Sequence, residues 1–173
     1  ARRPVIVGVV TPSPRIAEIA RARGAEAIAE EGQGINAAAA SAARWAQAKG
    51  AAALLVVHAD IPTLADGEIE AVLDAGRSHP VVIAESVDGG TNALLVSPPG
   101  AIGFRFGPGS AAAHGNAARQ AGLNAARLRL PFLSRDLDRP DDLLARPDLP
   151  GAFDAAAVEG IPEVRAGDDL GAL

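Results

Sequence analysis

The chain has 173 residues, 49% of them apolar but only 3% aromatic, with a formal net charge of −5. That length suffices for one compact domain with a real core, and an acidic balance with no basic stretch argues against a non-specific nucleic-acid binder. No apolar run approaches the roughly 18–20 residues of a membrane span, no signal-peptide pattern is visible, and the lack of Cys excludes disulfides and thiolate chemistry in this stretch, in keeping with a cytoplasmic enzyme.

In chain order, Pro4 to Val10 reads as a buried strand, an apolar run with β-branched residues. Thr11-Pro12-Ser13-Pro14 breaks it. Ser13 is placed to cap a helix with Pro14 in its first turn, and Gly24 stops that helix. Ala25 to Ala29 is a second short strand. The loop Glu30-Glu31-Gly32-Gln33-Gly34 then leads into an alanine-rich helix from about Ile35 to Lys49, which carries Trp45. Ala52 to His58 is the next strand, Leu64 to Ala75 a helix, and Pro80 to Glu85 a strand again. This alternation predicts an α/β fold, a mostly parallel sheet with helices on both faces. After Glu85 the rhythm changes. A tight Gly89-Gly90-Thr91 loop precedes a strand at Asn92 to Ser97, and a turn-rich crossing from Phe104 ends at Ser110. A helix runs from Ser110 to about Gln120, Ala126 to Leu130 is a strand, and Pro140 starts a short helix. From Arg146 onward Pro and Gly thicken, which places a boundary near residue 147 and a linker beyond it.

Four segments have the residue types of a site. Asp60 follows the carboxyl end of the most apolar internal strand, where open α/β sheets bind ligands. A carboxylate there can hold Mg²⁺ among water and phosphate oxygens, or can simply cap the turn before Pro62. Asp136 and Asp138 lie two apart and share a face in an extended segment; either could meet Asp60 across a metal ion. Asp141 and Asp142 are accounted for by the first turn of a helix. Gly107-Pro108-Gly109-Ser110, opening a helix, is either an anion site built from backbone N–H groups or only a turn with its cap. Gly89-Gly90-Thr91 offers a second loop of the same kind. His114, four residues after Ser110, shares its helix face and reads as structural. Gly32-Gln33-Gly34-Ile35-Asn36 matches neither a Walker loop nor a dinucleotide fingerprint.

In this order, Gly32…Gly34-Ile35-Asn36, Ala59-Asp60-Ile61-Pro62, Gly90-Thr91-Asn92-Ala93-Leu94, Phe106-Gly107-Pro108-Gly109-Ser110…His114 and Asp136-Leu137-Asp138-Arg139-Pro140 resemble the CofC/FbiD family. These are 2-phospho-L-lactate or phosphoenolpyruvate guanylyltransferases of coenzyme F420 biosynthesis, and the resemblance spans about residues 4 to 145. It implies a Rossmann-like nucleotidyltransferase fold and transfer of GMP from GTP to a small phosphorylated carboxylic acid: 2-phospho-L-lactate, phosphoenolpyruvate or 3-phospho-D-glycerate. It implies that Asp60, with Asp138 or Asp136, holds Mg²⁺ on the triphosphate, Asp60 and Asp138 being the catalytic pair. Thr91, Gly107 and Ser110 would bind the acceptor acid, and Gly34 and Asn36 would lie along the nucleoside. A homodimer is a further expectation from the family.

Two departures stand out. The family opens with a strand and a Lys/Arg loop that grips the triphosphate, whereas this chain starts at the second strand, has no Met, and has Lys49 as its single lysine. Position 139 is Arg where the family usually has Thr. Residues Val158 to Leu170 resemble the opening of the CofE-type coenzyme F420-0:L-glutamate ligases. The expectation is therefore a guanylyltransferase domain over 1–147 and, over 148–173, a linker with the start of a fused ligase domain. The rival readings are a molybdenum-cofactor-type nucleotidyltransferase of the same fold and a non-catalytic scaffold fused to a ligase.

Overall fold

The computed structural model describes residues 5–61 and 64–135. Asp136, Asp138, the helix expected from Pro140, and the linker and ligase start expected over 148–173 lie outside these residues.

The first unit is a βαβ crossover. Strand β1 (Gly8–Val10) pairs in parallel with β2 (Glu26–Ile28), and helix α1 (Pro14–Ala22) connects them. The Ser13 side chain caps α1 by accepting from Ile16 N at 3.4 Å, with Pro14 behind it, as the sequence predicts. The first strand is shorter than expected. Val5, Ile6 and Val7 are 79%, 51% and 58% exposed, because among the described residues β1 has a ladder partner on one side alone, over three positions.

Helix α2 (Ile35–Ala48) buries Ala39, Ala42, Ala43 and Ala46, the i, i+3, i+4, i+7 stripe of an amphipathic helix. Methyl-sized side chains let it lie close against the strands. Glu26 ties its far end to β2, accepting from Trp45 Nε1 at 3.1 Å and from Lys49 Nζ at 2.7 Å.

The second sheet has four strands in the order β3-β5-β4-β6: β3 (Leu54–Val57), β4 (Val81–Glu85), β5 (Thr91–Val96) and β6 (Ala125–Leu128). Helices α3 (Asp66–Ala75) and α4 (Ser110–Gln120) complete the order. Strands β3, β4 and β6 share one direction, as a mostly parallel sheet requires. Strand β5 departs from it, running antiparallel to both of its neighbours, so the sheet is mixed. The reason is local. Only a tight turn separates β4 from β5, and a connection that short joins antiparallel strands alone.

The pleat of β4 and β5 divides the core. Val81, Ile83, Leu94 and Val96 pack with the alanines of α2 and with Ala111 and Ala118 of α4. Val82, Ala84, Ala93 and Leu95 face the opposite way, onto Val72 of α3 and Leu133. Helices thus cover both faces, as expected. Full burial of each Val, Leu or Ile here contributes about 1.5–3 kcal/mol, so the two central strands are the rigid base beneath the site. The β6 edge is charged instead: Arg127 and Arg129 reach Glu85 at 2.7 and 3.3 Å, the kind of edge that resists further strand pairing.

Candidate active site

Because β3 and β4 share a direction and β5 opposes them, three chain segments meet at one edge of the sheet. They are the loop after β3 with Asp60, the loop after β4 with Ser86 and Asp88, and the start of β5 with Thr91 and Asn92. A cleft of about 380 Å³ opens there, lined by these residues and by Ile35, His58, Phe106, Gly107 and Ser110. Outside the carboxyl ends of the strands is where such sheets bind ligands.

The floor of the cleft is polar although it is buried. Thr91, Ser110 and His114 are 2%, 1% and 0% exposed. The Ser110 hydroxyl donates to Thr91 Oγ1 at 3.1 Å. His114 Nδ1 lies 3.1 Å from the same oxygen. The other ring nitrogen, Nε2, accepts the Arg105 backbone N–H at 2.9 Å. Burial, helped by the nearby Arg105 and His58, pushes the His114 pKa down to about 4, so the ring is neutral at pH 7. Its reading as a structural rather than a catalytic residue agrees with this closed position, but it touches the hydroxyl of Thr91, a residue that lines the cleft.

Phe106 forms one wall, with the His58 ring 5.1 Å and the His114 ring 4.9 Å from its own. His58 Nε2 is buried at the cleft with no hydrogen-bond partner among the described residues. Such an orphan calls for a ligand or a water. Sequence reasoning passed over His58 as the last residue of a strand, and its place beside a phenylalanine 48 positions later has no local signal.

The two glycine loops differ from expectation. In the Gly89-Gly90 loop, the amides are already engaged: Gly89 N donates to Ser86 O at 3.1 Å and Gly90 N to Asp88 Oδ1 at 2.9 Å. Asp88 also accepts from the Ser86 hydroxyl, and these two bonds hold its carboxyl below the usual carboxylate range. What this loop offers a ligand is therefore the Thr91 hydroxyl, not backbone amides. Gly90 is needed for its lack of a Cβ, which would lie 2.6 Å from Ser86 Oγ.

In the second loop, Gly107 and Gly109 have φ of 131° and 67°, values that favour glycine. The Ser110 N–H returns to Gly107 O at 3.0 Å and the Ala111 N–H goes to Gly89 O at 3.2 Å. The α4 N-terminus is thus partly closed. The Ala111 bond ties the two glycine loops together, so they form one wall.

The Asn36 side chain is bonded to the backbone of Phe106. Its side-chain Nδ2 donates to Phe106 O at 3.1 Å and its Oδ1 accepts Phe106 N at 2.7 Å. The amide pins the start of α2 to the aromatic wall, while the preceding Gly34, with φ 81°, caps α2 at the cleft margin beside Ile35.

Asp60 is exposed and reaches the cleft from the loop after β3. Among the described residues no group of three or more His, Cys, Asp or Glu is arranged to hold a metal ion. Asp60 is one candidate ligand, and its expected partners Asp136 and Asp138 lie beyond the described residues. The turn just before them is firmly held. Glu68 of α3, 7% exposed, accepts Phe132 N at 2.9 Å and Leu133 N at 2.6 Å. Asn92 Nδ2 donates to Leu133 O at 3.0 Å, and Val87 N donates to Ser134 O at 3.0 Å. Two cleft segments therefore grip the chain immediately before the second acidic cluster.

The fold is shared with nucleotidyltransferases. CMP:2-keto-3-deoxy-manno-octonic acid synthetase in complex with CTP superposes with a TM-score of 0.56 at 12% identity, over 82% of this chain and 78% of that one. Molybdopterin-guanine dinucleotide biosynthesis protein A from Archaeoglobus fulgidus does so with 0.51 at 18%, over 80% and 75%. At such identities the likeness is one of fold alone.

The family is narrower. Residues 1–146 match the model described as guanylyl transferase CofC like, and the chain belongs to that family. It is 41% identical over 137 residues to the phosphoenolpyruvate guanylyltransferase of Rubrobacter xylanophilus, covering 78% of this chain and 67% of that protein. It is 40% identical over 136 residues to the 3-phospho-D-glycerate guanylyltransferase of Colwellia psychrerythraea, covering 78% and 65%. The chain thus spans about two thirds of the length of these curated relatives.

Proposed function

We propose that this protein transfers GMP from GTP to a small phosphorylated carboxylic acid and releases pyrophosphate, as a step of coenzyme F420 biosynthesis in the cytoplasm. The observation that carries this reading is the convergence of Asp60, Thr91, Gly107 and Ser110, from three separate segments, on one cleft at the carboxyl edge of the sheet. Relatives at about 40% identity are named for this chemistry, with phosphoenolpyruvate or 3-phospho-D-glycerate as acceptor.

The acceptor phosphate is largely dianionic at neutral pH, its second pKa being about 6, so the reaction requires no general base. Its oxygen forms a bond to the α-phosphorus of GTP, the bond from that phosphorus to the β-bridging oxygen breaks, and pyrophosphate leaves. The chain's contribution is to hold the reactants in line and to exclude water. The Thr91 and Ser110 hydroxyls and the Gly107 backbone would hold the acceptor's phosphate and carboxylate. The Phe106 wall shields the other side.

Asp60 and Asp88 bring negative charge to a cleft meant for a triphosphate, which a cation must offset. Mg²⁺ suits this, since it takes one or two carboxylates and fills its remaining places with water and phosphate oxygens. Asp60 would be its ligand in the described part, with Asp136 or Asp138, which follow in sequence the turn held by Glu68 and Val87. Asp88 is already committed to Ser86 and Gly90. When bound, the metal would neutralise charge on the α-phosphate and the leaving group.

The test is pyrophosphate release by the full-length gene product from GTP and Mg²⁺, with 2-phospho-L-lactate, phosphoenolpyruvate and 3-phospho-D-glycerate in parallel. One acid supports release, and Asp60→Asn lowers it by about a hundredfold or more with an unchanged thermal midpoint. Release with none of the three would overturn the proposal.

A further inference from the structure

We propose that His114 is a positioning residue, locked in its Nδ1-protonated tautomer, which makes the Thr91–Ser110 pair a hydrogen-bond donor towards an anionic oxygen of the acceptor. The inference rests on the acceptor reading of that pair.

The argument is an accounting of protons. His114 Nε2 faces the Arg105 backbone N–H at 2.9 Å. A backbone N–H can only donate, so Nε2 must be the bare, accepting nitrogen. In a neutral imidazole the single ring proton is then on Nδ1, and it points at Thr91 Oγ1, 3.1 Å away. Thr91 Oγ1 also takes the Ser110 hydroxyl proton at 3.1 Å. With both hydrogen bonds accepted, the Thr91 hydroxyl still has its own proton to give, and no group among the described residues accepts it. Reversing the Thr91–Ser110 bond frees the Ser110 proton instead. In either arrangement one donor is left over, and both residues line the cleft.

The opposite tautomer would change this sign. With the proton on Nε2, bare Nδ1 would draw the Thr91 hydroxyl proton to itself, and the oxygen lone pairs would face the ligand. A phosphate or carboxylate would then meet acceptors instead of a donor. His114 touches no reacting atom. It acts through Thr91, and it is 0% exposed, so the ring has no other conformation open to it without repacking against Phe106.

Two substitutions separate this role from mere packing. In His114→Asn the side-chain amide can still donate where Nδ1 stood. In His114→Gln the amide reaches the Nε2 position, where it can accept from Arg105 but no longer donates to Thr91. In the full-length gene product, His114→Gln should raise KM for the acceptor acid about tenfold, one hydrogen bond's worth, with KM for GTP within about twofold. His114→Asn should recover most of that loss. The penalty of His114→Gln should vanish in a Thr91→Val background, since the partner hydroxyl is gone.

Equal acceptor KM in wild type, His114→Asn and His114→Gln would overturn the inference, as would recovery by Gln and not Asn. An acceptor KM untouched by Thr91→Val would instead sink the acceptor reading beneath it. If the variants fold poorly, ¹⁵N spectra of the wild-type imidazole decide. An Nδ1-protonated His114 is expected, and an Nε2-protonated ring at neutral pH would overturn the proposal.

Discussion

Asn36 and Phe106 are joined by two hydrogen bonds, Nδ2 to the carbonyl oxygen at 3.1 Å and the amide nitrogen to Oδ1 at 2.7 Å, across 70 positions of sequence. A side-chain amide here plays the part of a neighbouring strand. It is the cross-link that sets the aromatic wall of the cleft against the first turn of α2.

Asn36→Asp keeps the acceptor and loses the donor, and places a carboxylate oxygen against the Phe106 carbonyl. The wall should loosen without global unfolding, because Asn36 is exposed and outside the core. The expected outcome is a severalfold rise in KM for either substrate and a loss of about 1 kcal/mol in urea unfolding. Wild-type kinetics would show that the wall needs no pin.

Glu68→Gln tests the grip on the turn before Asp136. Both carboxylate oxygens accept backbone N–H groups, at 2.9 and 2.6 Å. In glutamine one of these oxygens becomes an NH₂ facing an N–H. The expected cost is about 1–3 kcal/mol in chemical denaturation. Pyrophosphate release should fall by more than the folded fraction accounts for, and a loss in proportion to folded protein would remove the positioning role.

Gly109, at the cap of α4, has φ 67° and ψ 19°, and a Cβ there would meet nothing within 4 Å. Gly109→Ala should therefore cost about 1–2 kcal/mol through backbone strain alone. Gly109→Asn should cost less, since Asn tolerates the left-handed region. Equal thermal midpoints for the two variants would refute this assignment.

The pH dependence of stability follows from His114. Its folded pKa is lowered from 6.5 to about 4, by burial first and then by Arg105 and His58. Between those values the unfolded chain binds a proton that the native state refuses. The stability from the neutral ring is thus present in full above about pH 6.5 and is lost as pH falls towards 4. The wild-type urea midpoint should drop across this window, and that of His114→Asn should drop less. Parallel curves for the two proteins would contradict the assignment.

Much of this protein can be read one segment at a time. Ser13 and Pro14 announce a helix start, Gly24 its end, and the stripe Ala39, Ala42, Ala43, Ala46 its buried face, because caps, breakers and periodicity act within a few residues. Asp60, Thr91, Gly107 and Ser110 could likewise be marked as site residues from loop chemistry and family resemblance, and all four line one cleft. What the sequence determined alone was therefore the elements, the α/β class and the candidate ligand-facing residues.

Tertiary structure decided how those residues are wired. The direction of β5, the engagement of the Gly89 and Gly90 amides, the closure of Asn36 on Phe106 and the clamp of Glu68 on Leu133 all depend on partners that folding brings in. His114 shows the difference most plainly. On its helix it is one more apolar-face histidine, and only the Arg105 N–H on one side and the Thr91 hydroxyl on the other fix its proton. Hydrogen bonds are short-ranged and directional, so the state of such a group belongs to the assembled fold and not to its neighbours in the chain.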